Sequence, residues 1–148
     1  MRNHWIGRTV AATLIVVCLG TPAAPAAELS KAAFITAGDK ICKAGNDKLN
    51  AEAKKIFGAL KANEQPTAAM MKSLVDKAVP ILRGEVKDLR VLTPPKADAA
   101  KLKKLWEDLD AIIGRITKDP KLLLGNDNPF AKVDAAAAAY GFKECGNS

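Results

Sequence analysis

The chain of 148 residues contains one histidine, His4, and few aromatic residues: four Phe, two Trp and one Tyr. His4 stands in the first 27 residues, so nothing beyond them supplies the imidazole of a Ser-His-Asp or Cys-His arrangement. The three cysteines form no Cys-x-x-Cys. No Gly-x-x-x-x-Gly-Lys and no dinucleotide fingerprint occurs. The scarcity of aromatics leaves no stacking platform for single-stranded nucleic acid, and acids interleave with the lysines nearly everywhere. Specific nucleic-acid binding is therefore not expected, despite a net charge of +7. Alternating runs of β-branched and polar residues are missing as well, which argues against strands.

What is present begins at the N-terminus. Arg2 and Arg8 precede an apolar run from Val10 to Leu19, and Ala23-Ala24-Pro25-Ala26-Ala27 follows. Charge, apolar run and small residues in that order make a secretory signal peptide. The run is too short to cross a bilayer, which takes roughly 20 apolar residues. Residues 1–27 are read as a cleaved signal peptide and residues 28–148 as one domain, with no transmembrane segment in the mature chain. Cleavage lowers the charge from +7 to +5, because Arg2 and Arg8 leave with no acid. Lipid attachment at Cys18 needs small residues just before the cysteine. Val16 and Val17 are bulky, so a free secreted or extracytoplasmic protein is expected, in the periplasm or cell wall.

The cut also removes Cys18 and leaves Cys42 and Cys145. An even pair in an exported chain reads as one disulfide. The rest of the chain is rich in Ala, Lys and Leu, which favours helix. Ser30 is placed to cap a helix reaching about Asn63, with Phe34, Ile41, Cys42, Leu49 and Ile56 near one stripe. Gly38 and Gly45 lie on or beside that stripe and suggest the close approach of another helix, or else a break near Gly45. A second helix is expected from Pro66 to Val91, with Pro66 in its first turn and Pro80 in its interior. Thr93-Pro94-Pro95 stops it. A third, from Ala97 to Lys118, has the cleanest apolar stripe, and residues 121–128 form a loop. Asn128 and Pro129 open a short fourth helix to Tyr140, with Gly141 as its left-handed terminator and Phe142 folding back. The fold expected is an all-α, single-domain antiparallel bundle of three long helices and a short C-terminal one, stapled by Cys42–Cys145.

Chemistry has few places to reside. Asp98, Glu107, Asp108 and Asp110 cluster in and around the third helix, and paired carboxylates can hydrolyse a glycosidic bond. Lys103 and Lys104 stand one turn from Glu107 and Asp108, which reads instead as a solvated ion-pair face. Gly125-Asn126-Asp127-Asn128 is oxygen-rich, but no closing Glu follows at calcium-loop spacing, so it reads as a turn and cap. No metal site, catalytic residue or cofactor is assigned. Trp106, next to the stripe of the third helix, is expected in the core or at the mouth of an apolar groove. Such a groove, with Met71 and Tyr140, would admit an apolar ligand.

Four strings carry a resemblance. They are Phe34-x4-Asp39-x-Ile41-Cys42-x2-Ala44-x-Asn46, Leu89-Arg90-x-Leu92-Thr93-Pro94-Pro95, Asn128-Pro129-Phe130, and Tyr140-Gly141-Phe142-x2-Cys145-Gly146. Together they resemble a group of small exported proteins of high-GC Gram-positive bacteria, some of them described as lipoproteins. The resemblance implies a disulfide-bonded helical bundle and assigns no activity. The function expected is a non-enzymatic interaction module of the cell envelope or extracellular space, its partner an envelope protein or an anionic wall polymer. The alternatives are a carrier of an apolar small ligand and a carboxylate-only glycan hydrolase. No feature of the sequence specifies an oligomeric state.

Overall fold

A computed structural model describes residues 28–125 and 127–146. The signal peptide expected over residues 1–27, with His4 and Cys18, lies outside them. Four α-helices occur among the described residues: α1 (Lys31–Phe57), α2 (Ala68–Val91), α3 (Ala99–Lys118) and α4 (Ala131–Tyr140). None of them is long and apolar enough to cross a membrane.

The Ser30 hydroxyl accepts the Ala33 amide and opens α1, as the sequence suggested. This helix runs unbroken through Gly38 and Gly45 but stops at Phe57, short of Asn63. Gly58 follows, and glycine surrenders the most backbone freedom in a helix. The chain then folds into turns, with Leu60 N–H donating to Phe57 O and Glu64 N–H to Lys61 O. Pro66 lies outside α2 rather than in its first turn. Thr67 caps the helix by accepting the Met70 amide at 3.2 Å, because a hydroxyl satisfies an orphan N–H that proline's ring cannot. α2 passes through the exposed Pro80 as one helix.

Two further boundaries differ from expectation. Residues 120–123 form a short 3₁₀ turn, opened by Asp119 accepting the Lys121 amide. Pro129 precedes α4 instead of starting it. Asn128 Oδ1 accepts the Phe130 amide at 2.9 Å, a local Asx turn that takes up the chain before the helix can begin.

α1 and α2 run antiparallel. Leu29 N–H donates to Thr93 O at one end (3.1 Å), and further along Gly38 faces Leu89 while Gly45 faces Glu85. α3 packs on the other flank of α2 and carries Leu102, Leu105, Trp106, Ile112, Ile113 and Ile116 inward. Phe34, Leu89, Leu102, Ile113 and Ile116 are almost wholly buried. Each such side chain removed from water contributes about 1.5–3 kcal/mol before entropy is counted.

The tail completes the core. Gly141 takes φ 121°. Its amide donates to Ala138 O, and Phe142 N–H reaches Ala137 O. This is the Schellman ending that a left-handed glycine permits. It turns Phe142 inward among Tyr140, Trp106 and Phe34, with ring centroids at 5.3, 6.1 and 6.0 Å. Gly38 makes room for that ring, since a β-carbon there would lie 2.5 Å from Phe142 Cε1. Gly38→Ala should therefore cost about 1–3 kcal/mol, the usual penalty of overpacking a filled core. Urea unfolding measures it, and a cost below about 0.5 kcal/mol would mean the ring yields freely.

Candidate functional site

Three concavities among the described residues differ in their chemistry. The first is an open cleft of about 500 Å³, within the range of small-molecule sites. It lies between the second half of α1, the first half of α2, the end of α3 and the segment before α4. Leu49, Leu74, Ala78, Leu82, Ile116 and Phe130 line it and are buried or half-buried. Ala53 and Ala78 help create it, because neither side chain reaches across the space between α1 and α2. Leu123 adds a wall. Asn50, Asp127 and Asn128 are exposed at the rim. Asn128 is already engaged, accepting the Phe130 amide and donating to Asp134 Oδ2 (3.3 Å).

Of the groove residues expected from sequence, Trp106 and Tyr140 meet in the core around Phe142, whereas Met71 is not part of that cluster. Trp106 is only 5% exposed and lines a separate depression of about 380 Å³ with Leu92, Pro94 and Lys103. Tyr140 is packed against Phe34 and Phe142, and its hydroxyl donates to Asp98 Oδ2 at 3.0 Å. The ammonium groups of Lys31 and Lys101 stand 4.6 and 5.6 Å from its ring centre. Burial, reinforced by Asp98, pushes the Tyr140 phenol up to about 12. Met71 is buried on the first half of α2 and lines neither the cleft nor the Trp106 depression. Neither the cleft nor the Trp106 depression is lined by all three residues. Their shared chemistry says nothing about a shared cavity.

The acidic cluster of α3 is an ion-pair face. Lys103 holds Glu107, Lys104 holds Asp108 at 2.8 Å, and Arg90 reaches across from α2 to Asp110 at 2.7 Å. Hydrogen bonds from the two lysines hold the Glu107 and Asp108 carboxyls below their ordinary values. A general acid in glycan hydrolysis needs the opposite shift.

The disulfide joins Cys42 to Cys145 with an S–S distance of 2.04 Å. Its surroundings explain the string around Cys42. Asp39, one turn earlier on α1, accepts the amides of Lys143 and Glu144 at 3.0 and 2.9 Å. Asn46, one turn later, donates from Nδ2 to Glu144 O at 2.9 Å. Asp39, Cys42 and Asn46 thus form one face of α1 that grips residues 143–145.

The third concavity is a narrow pocket of about 30 Å³ beside this bond, and Glu85 lines it together with Asn46 and Asp134. Sequence reasoning passed over Glu85. Its carboxylate lies against Gly45, where a β-carbon would stand 2.2 Å from Glu85 Cδ. Oε2 is buried and has no hydrogen-bond partner among the described residues. Burial pushes this carboxyl up to about 7, with Lys48 pulling the other way. The signal was legible: Glu85 stands three residues after Leu82 and four before Leu89, inside the apolar stripe of α2.

No protein-family model, no curated protein and no solved structure matches this chain.

Proposed function

We propose that the protein is an exported, non-enzymatic binding module that holds a small, largely apolar ligand in the cleft between α1 and α2. The observation that carries this reading is the cleft itself, with its floor of Leu49, Leu74, Leu82, Ile116 and Phe130. An apolar floor with a few polar groups at the rim is the usual make-up of a small-molecule site. Export is supported by the signal-like leader and by the Cys42–Cys145 bond, which persists in oxidising compartments. The absence of histidine from residues 28–148 favours binding over catalysis.

A neutral, environment-sensitive dye such as N-phenyl-1-naphthylamine tests it by fluorescence titration. Saturable binding to one site is expected. Ala53→Phe, which projects a ring into the cleft from α1, should weaken it by about tenfold or more. Asn50→Trp at the exposed rim serves the same purpose if Ala53→Phe perturbs folding, which circular dichroism reports. Dye that fails to saturate, or that binds both variants as well as the parent, would remove the cleft from consideration.

A further inference from the structure

Resting on that reading, we propose that the cleft takes a single-chain amphiphile whose head group is a cationic amine. The sequence is rich in Lys and Arg, yet none of those among the described residues lines the cleft. Among the described residues, the one formally charged residue that does is Asp127. It is exposed at the rim and makes no ion pair among the described residues.

The consequence for ligand class follows from desolvation and charge. An apolar tail seated on Leu49, Leu82 and Phe130 brings its head group to the rim. A carboxylate or phosphate head would lose water there, meet no cation among the lining residues, and face the Asp127 carboxylate. An ammonium head meets an unpaired anion and the amide oxygen of Asn50. A hydroxyl head gains only the amides. The local field therefore runs against the net charge of the protein, which would draw anions to its surface at long range. Within a binding site the nearest groups outweigh distant ones, because salt screens charges beyond about 8–10 Å.

The experiment displaces N-phenyl-1-naphthylamine with decylamine, decanol and decanoate at pH 7, each below its micelle concentration. These share a tail and differ in head-group charge. Decylamine should compete about tenfold better than decanoate, with decanol between them. Asp127→Asn should bring decylamine down to the level of decanol and leave decanol unchanged. Raising the salt concentration should narrow the same gap. Decanoate competing as well as decylamine, or an amine preference that survives Asp127→Asn, would overturn the head-group assignment while decanol still displaced the dye. If the dye itself does not bind, the cleft reading fails first, and the two failures are told apart.

Discussion

Replacing Cys42 and Cys145 together by serine is expected to lower the unfolding free energy by about 4 to 5 kcal/mol. The two cysteines are separated by 103 positions. In the chain-entropy model a bridge closing a loop of that length restricts the unfolded ensemble by about this amount. For a domain of this size the midpoint of thermal unfolding should fall on the order of 15–20 °C. The double substitution avoids leaving one free thiol to pair wrongly. Reducing the parent protein should reproduce the loss, and that agreement separates the cross-link from the two side-chain changes. A loss below about 1 kcal/mol by both routes would show that positions 42 and 145 already lie near each other in the unfolded state.

The fold should survive the loss in a weakened form, because the tail has other anchors. Asp39 and Asn46 hold the backbone of residues 143 and 144. Phe142 is 3% exposed among three other rings. Tyr140 ties α4 to the start of α3 through Asp98. These contacts act on the native state and the bridge acts mainly on the unfolded one. The bridge sets how stable the domain is, whereas the aromatic cluster sets where the tail lies.

How much of this was legible in sequence depends on the range of the interaction. The stripe of α3, the Thr93-Pro94-Pro95 stop and the glycine terminator at Gly141 are local, and each appears where the residues place it. The Cys42–Cys145 pairing followed from there being only two cysteines after residue 27. Gly38 and Gly45 announced a close approach, but not that one faces a phenylalanine from the tail and the other a carboxylate. The cleft was not legible. It depends on where α1 and α2 leave space around two alanines, and on a segment some seventy residues further along that walls it. For the same reason, sequence did not show that Trp106 and Tyr140 would meet on Phe142 while Met71 lies outside that cluster. Residue type marks what can be buried, and only the packing decides what is buried together.

The second large effect concerns Glu85 and pH. Its carboxyl moves from an ordinary 4.5 to about 7 on folding, chiefly because burial disfavours the charged form. The folded protein then holds a proton that the unfolded chain releases, so stability must fall as pH rises between these values. The contribution is fully present below about 4.5, declines through the window, and is gone above about 7. At about 1.4 kcal/mol per pH unit the full span is about 3.5 kcal/mol. Glu85 keeps some contact with solvent, which lowers the expected loss to about 2 kcal/mol. Few other groups obscure the window, because His4 is the one histidine of the sequence and stands outside the described residues. Lys48 on α1 opposes the shift, and Asp134, across the narrow pocket, is hydrogen-bonded to Asn128. The lowered carboxyls of Glu52, Glu107 and Asp108 titrate below it. Urea unfolding at pH 5, 6, 7 and 8 should show the parent losing stability across the series. Glu85→Gln, which keeps the shape of the protonated acid, should be flat over the same range. At pH 8 it should exceed the parent by about 2 kcal/mol. Parallel curves for the two proteins would mean that the carboxyl ionises without cost beside Gly45, and that the α1–α2 seam opens to water there.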